Sequence, residues 1–242
     1  VLQGSGVTHL LEHLIFKGRD GETLASCVER HGGYTNAYTS RDQTVFTVTV
    51  PKEHWREAFC ALLRAVFAPA FTGEDFQKER EVVIRELARY EDEPEHQLDA
   101  GLWETAFKVH PYRCPIGGYR QVLEGLSYDD VKRYHDAQYS PDNAALSVAG
   151  DIPFEELKSA CGEWVSAYSR HAGVVAAIPA EPPQRAIRER FVPFATDLCY
   201  MECAWHIPSM NSADTALLDI FASALGDGKA SRLYRALVEP GI

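Results

Sequence analysis

The chain has 242 residues, 45% of them hydrophobic and 24% charged, enough to bury a core in one large domain or two modest ones without a disulfide or metal needed merely to fold. Its formal net charge of −11 argues against a nucleic-acid binder, which presents a basic face. No apolar run approaches the roughly 18 residues of a membrane-spanning helix, so no membrane span is expected. The six cysteines (27, 60, 114, 161, 199 and 203) include no C-x-x-C pair and read as free thiols. A cytoplasmic location is therefore favoured, with a periplasmic or organellar one left open. The sequence opens at Val1 and stops at Ile242, just past a helix-like run, and is expected to be a piece of a longer polypeptide.

Residues 6–17 read as a first helix, with Ser5 or Thr8 available as a cap and Gly18 as a stop. Residues 21–31 read as a second, ended by Gly32 and Gly33. The period then changes: Thr44, Phe46, Val48 and Val50 alternate with Val45, Thr47 and Thr49, which is strand chemistry, and Pro51 ends it. Helices are expected over 52–67, 74–90, 95–109, 127–139 and 153–169. The stretch "FAPAFTGEDF" caps the helix over 74–90, and "HPYRCPIGG" is an irregular loop. "NAALSVAGD" and "DLCYMECAWHIP" read as strands, "HAGVVAAIPAEPPQR" between them as a Pro/Ala-rich linker, and "SADTALLDIFASALGDG" as a last helix. The order implies an α+β fold, helices layered on an antiparallel sheet. Residues 1–175 are expected to form one domain and 186–242 to begin a second.

The first helix carries the chemistry. His9 and His13 are four apart, so they project from one face and can meet one ion at Zn–N of about 2.0–2.1 Å. Glu12 is rotated about 100° from His13 and flanks such an ion without having to ligate it. The order H-x-x-E-H reverses the metallopeptidase H-E-x-x-H. An exposed His/Glu face is the plain alternative, but Leu10, Leu11, Leu14, Ile15 and Phe16 occupy most of the circumference and argue for burial, where such groups need partners.

A third ligand should be a carboxylate from elsewhere. In the helix over 74–90, Phe76, Val83, Leu87 and Tyr90 define the apolar face. Glu79 and Glu86 fall on its edge, and Glu81 on the solvent side. Glu86 is the expected third ligand, and Glu79 an accessory group that hydrogen-bonds a ligand or orients water. Snorkelling at the edge of the stripe is the alternative for both. His110 and His135 remain unassigned, and Gly226–Gly228, after a helix rather than opening one, does not read as a phosphate loop.

Taken together, "HLLEHLIFKG", "GGYTNAYTSRDQTVFTV", "EREVVIRE", "HPYRCPIGG", "YSPDNAALSVAGD" and "LGDGKASRLYRALVEPGI" resemble segments of the inverzincin zinc metallopeptidases, the family of pitrilysin, insulin-degrading enzyme and the mitochondrial processing peptidase β subunit. The resemblance spans nearly the whole chain. It implies pitrilysin-like domains: residues 1–175 as a zinc-binding peptidase domain lacking its initial strand or strands, and 186–242 as the truncated start of a similar one. It implies one Zn2+ at His9, His13 and Glu86, with Glu79 accessory and Glu12 as the general base of amide hydrolysis. It further implies peptide substrates held by β-addition along the strand at 42–50, with Asn36, Ala37 and Thr39 beside it. For Asn36 a turn-stabilising role stands as an even alternative. A second half-molecule, as a homo- or heterodimer or in the same longer chain, is the expected partner. The rival readings are a non-catalytic scaffold subunit of the same fold and a metal-binding module without hydrolysis.

Overall fold

Leucine and isoleucine at positions 10, 11, 14 and 15 leave the first helix, α1 (Val7–Ile15), no dry side to expose, and all four are fully buried. The computed structural model describes residues 4–18, 22–168, 173 and 177–241. In chain order there follow α2 (Leu24–Arg30), β1 (Tyr34–Thr39), β2 (Thr44–Thr49), α3 (Trp55–Phe67), α4 (Gly73–Glu91), α5 (Pro94–Ala106), α6 (Arg120–Glu124), α7 (Tyr128–Gln138), α8 (Phe154–Ala167) and α9 (Thr215–Gly226). The chain divides into two compact units, residues 1–202 and 203–242.

In the first unit, α1 packs with Phe71, with Phe76 and Val83 of α4, with Leu123 and Leu126, and with Val131 of α7. Burial of these apolar side chains is the main stabilising term, of order 1.5–3 kcal/mol for each large one. A second cluster, Leu24, Val28 and Ala58, joins α2 to α3 and receives Phe16, Val48 and Val50. Helices α4 and α7 begin with capping boxes, Thr72 with Asp75 and Ser127 with Asp130, which satisfy N–H groups the first turn leaves free. Tyr134 and Thr8 hydroxyls meet at 2.9 Å and tie α7 to α1. The Trp164 indole N–H donates to Cys60 Sγ at 3.3 Å, tying α8 to α3.

The sheet is one antiparallel hairpin, with Tyr34 opposite Thr49 and Thr39 opposite Thr44. The alternation at 44–50 is thus half of a pair, and the partner strand at 34–39 is an addition to the sequence reading. Its Tyr and Thr residues are good strand formers and Ser40 closes the turn, donating to and accepting from Gln43. The turn is held from outside: Tyr112 donates to Asp42 at 2.6 Å, and Arg41 donates to the Tyr112 carbonyl while lying 3.8 Å over the Trp103 ring.

The "CPIGG" loop docks on the start of α1 by backbone approach. Gly6 caps the helix with φ +67°, and a Cβ there would lie 2.0 Å from the Gly117 carbonyl oxygen. Gly118, at φ +80°, is as close to Gly6 from the other side, and Tyr119 N–H bonds the Gly4 carbonyl at 2.8 Å. Neither Ser5 nor Thr8 is the cap. Only glycine allows both the left-handed turn and the contact.

Two expected strands do not form. Residues 144–149 and 197–208 carry no regular structure, and Leu146, Val148, Leu198, Met201, Trp205 and Ile207 are exposed. Strand propensity is realised only in a ladder with another strand, and among the described residues neither segment joins the sheet. Residues 171, 172 and 174–176 of the expected linker lie outside the described residues; its described part, 177–185, is irregular, as its prolines dictate, but it is tethered. Glu181 accepts from the N–H groups of Lys108, Val109 and His110 at 2.7–3.0 Å. Arg188 donates to the carbonyls of Thr105 and Ala106 at the end of α5.

The second unit contains α9 and a π-helical turn, Tyr234–Val238; α9 is apolar in sequence, with Leu217, Ile220 and Phe221 exposed. All six cysteines are free thiols. Among the described residues no helix is long and apolar enough to cross a membrane.

Candidate metal centre

One helical turn separates His9 from His13 on α1, and their rings meet edge to face with centroids 4.9 Å apart. Helix α4 runs against α1 and brings Glu86 to them. Glu86 Oε2 lies 3.9 Å from His9 Nε2 and 3.7 Å from His13 Nε2. These three donor atoms form a cluster, each within 4.8 Å of the others. Tetrahedral donors at about 2.0–2.1 Å from one ion stand roughly 3.3–3.4 Å apart, so the two edges to Glu86 need to contract by roughly half an ångström or less to hold a zinc-sized cation.

The surroundings act on each donor. His13 Nδ1 lies 3.3 Å from Glu79 Oε2, while Glu79 Oε1 pairs with Lys17 at 2.7 Å. Glu79 is therefore buried with both oxygens engaged and turns the Nε2 face of His13 towards Glu86. Burial holds His9 below its ordinary pKa and His13 adds to this; Glu86 and then Glu12 push the other way. The neutral imidazole this favours is the form that ligates a metal. His9 Nδ1 is buried without a hydrogen-bond partner, and it faces Gly117, where a Cβ would stand 3.8 Å from it. Two imidazoles and a carboxylate converging at one partly buried point are a donor set for a borderline divalent ion.

Glu12 stands outside the donor triangle. Its carboxylate accepts from the Thr39 hydroxyl, which also lies 3.3 Å from the Thr44 hydroxyl across the hairpin. Thr39 and Ala37 share the partly buried face of β1; Asn36 is exposed on the other face, with its side-chain oxygen accepting from the Ala37 N–H. The hairpin thus brings Thr39 to Glu12 and leaves Asn36 turned away.

Tyr90 has a second role that its place on the apolar face concealed. Its hydroxyl donates to Glu86 Oε1, and its ring stacks on His96 at 4.2 Å. The i, i+4 spacing from Glu86 to Tyr90 was the available signal. Burial and the bond to Glu86 both raise the Tyr90 pKa, so the phenol keeps its proton. His110 accepts from the Tyr112 N–H, and His135 bonds the Val66 carbonyl at 2.9 Å; both are structural histidines.

Residues 3–118 match the family described as Insulinase (Peptidase family M16), and residues 125–241 match the one described as Peptidase M16 inactive domain. The "Uncharacterized zinc protease YmxG" of Bacillus subtilis is 31% identical over 167 residues, 68% of this chain and 41% of that protein. The "Zinc protease PqqE" of Helicobacter pylori is 28% identical over 244 residues, covering 97% of this chain and 54% of its own length. The chain thus spans about half the length, or less, of these curated relatives. The crystal structure of a protease from Helicobacter pylori superposes with a TM-score of 0.83 at 26% identity, over 99% of this chain and 59% of that one. Both halves of the sequence match one family and the helix-rich α+β fold with its small antiparallel sheet is that family's, so the chain belongs to the M16 peptidases, the insulinase or pitrilysin-like family.

Proposed function

We propose that this chain is the zinc-bearing part of an endopeptidase that hydrolyses peptides or small unfolded polypeptides. The single observation that carries the reading is Glu12, a carboxylate outside the donor triangle, held by Thr39 beside His9. A purely structural metal site has no use for such a group. His9, His13 and Glu86 would hold the ion, which supplies Lewis acidity for water activation and carbonyl polarisation. Glu12 takes a proton from the attacking water and passes it to the leaving amine. Thr39 orients Glu12, Glu79 fixes the ring of His13, and Tyr90 fixes Glu86. The first unit, residues 1–202, is the metal-binding domain, and residues 203–242 belong to a second, similar one, with a partner half completing the substrate chamber. Peptide would add along the hairpin edge, with Ala37 and Thr39 closer to the chemistry than Asn36. The zinc named in several relatives supports the choice of ion.

A scaffold subunit is the second reading, and the match of residues 125–241 to a domain described as inactive is what favours it. It loses weight because every proposed donor lies within residues 3–118. The test is cleavage of a fluorogenic peptide library by the full-length protein, with and without chelator. Chelator-sensitive cleavage that is lost in Glu12→Gln, with zinc still bound, is the expected result. A general base contributes about 10²–10⁴-fold, so the loss should be at least of that order. Absence of chelator-sensitive cleavage would favour the scaffold, and full activity of Glu12→Gln would remove Glu12 from the chemistry.

A further inference from the structure

The register of the hairpin has a consequence at its base. Because Tyr34 pairs with Thr49, the chain entering β1 and the chain leaving β2 run side by side. His31 closes α2, and His54 precedes α3, with Glu57 in its first turn. The three side chains meet: Glu57 Oε2 lies 3.4 Å from His31 Nε2 and 3.3 Å from His54 Nδ1. The imidazoles stack at 4.0 Å with 22° between planes. We infer that His31, His54 and Glu57 form a second divalent-metal site, for a zinc-class transition ion, that clips α2 to α3 across the base of the hairpin.

The donors argue for this ion class. Two imidazole nitrogens and one carboxylate oxygen suit zinc, copper or nickel, not calcium or magnesium, which take oxygen ligands. Both nitrogen–oxygen edges already match the roughly 3.3–3.4 Å of a tetrahedral zinc site. The third edge closes when one ring turns out of the stack. His54, 40% exposed, has the room to do so, while His31 at 20% is held. Neighbouring cations are engaged elsewhere: Arg30 with Glu22, Lys52 with Asp151, and Arg56 over the Trp55 ring. The site is separate from the one on α1. Thr39, at the far end of β1, is what touches Glu12, and the five residue steps from Tyr34 to Thr39 span roughly 16 Å. With one position open to solvent, such an ion would staple two helices, and the inference does not depend on peptidase activity.

The experiment is a Zn2+ titration of the metal-stripped full chain against a chromophoric chelator at neutral pH. Wild type should take two equivalents. His54→Gln and His31→Ala should each take one, His9→Ala should keep the other, and the His9→Ala/His54→Gln double variant should take none. Zn2+ should raise the melting midpoint of His9→Ala and leave the double variant unmoved. His54→Gln, at an exposed position, guards against a folding defect in His31→Ala. A zinc stoichiometry that neither His31→Ala nor His54→Gln lowers below wild type overturns the site, whatever His9→Ala does to the other.

Discussion

Tyr90 donates its hydroxyl proton to Oε1 of Glu86, and this leaves Oε2 of the same carboxylate facing Nε2 of His9 and His13 at 3.9 and 3.7 Å. The two oxygens therefore have separate duties, one to α4 itself and one to the donor triangle. The phenol is anchored in turn by its stack on His96, whose Nδ1 pairs with Glu93 at 2.7 Å. Removing the hydroxyl frees the carboxylate to rotate without touching a donor. Tyr90→Phe should weaken zinc by about 10–100-fold in chelator competition, the usual effect of losing a ligand's hydrogen-bond partner. Its metal-free melting curve should stay close to wild type, because a net hydrogen bond is worth only about 1 kcal/mol. Glu86→Ala should lose the ion altogether. Unchanged affinity in Tyr90→Phe would reduce the contact to a helix-surface bond.

Thr39 reaches Glu12 from the end of β1, so the orientation of the acid depends on the hairpin, not on α1. Thr39→Val keeps the shape and the branched side chain that a strand favours, and removes only the donor. The expected outcome is a fall in kcat with KM and zinc stoichiometry unchanged. A rise in KM alone would assign Thr39 to substrate contact instead.

How much of this was legible in the sequence depends on how local each feature is. Helices α1 and α4 announced themselves by apolar period and by the break "FAPAFTGEDF" before α4, and the inward turn of Glu79 and Glu86 against the outward Glu81 followed from 100° per residue. The convergence of His9 and His13 with Glu86 needed only two such helices to pack. The contact of Thr39 with Glu12 needed the register of a hairpin whose first strand was not recognised. The clamp of Glu181 on Lys108–His110 joins residues more than seventy positions apart and has no local signal. The segments at 144–149 and 197–208 failed for the opposite reason. Their strand propensity is plain, and what decides a strand is the partner, which propensity does not encode.

Gly6 and Gly32 separate two reasons for glycine. Both have left-handed backbones, φ +67° and +72°, but a Cβ at Gly32 meets nothing within 4 Å, whereas one at Gly6 would collide with the Gly117 carbonyl. Gly32→Ala should cost about 1–2 kcal/mol, the strain of that backbone region alone. Gly6→Ala should cost roughly 1–3 kcal/mol more through overpacking, and should also lower zinc affinity because the displaced loop abuts His9. Denaturant midpoints of the two variants give the comparison. Equal costs would mean that the glycine-to-glycine contact yields freely and does not position α1.

Glu181 makes the tether of the linker dependent on pH. Burial by itself would raise its pKa, but three backbone N–H donors, from Val109, His110 and Lys108, outweigh that with help from Arg188 and bring it down to about 2. A carboxyl depressed from an ordinary value of 4.5 binds fewer protons folded than unfolded, so stability falls as pH falls. The tether is fully present above about 4.5 and is lost as the pH drops towards about 2. Hydrogen exchange at Lys108, Val109 and His110, corrected for its intrinsic pH dependence, should show protection at pH 6 that fades across that window. Glu181→Ala should remove the protection at pH 6 and expose residues 177–190 to limited proteolysis, with zinc binding unaffected because no donor lies on that segment. Equal protection in variant and wild type at pH 6 would show that the prolines, not the carboxylate, hold the linker in place.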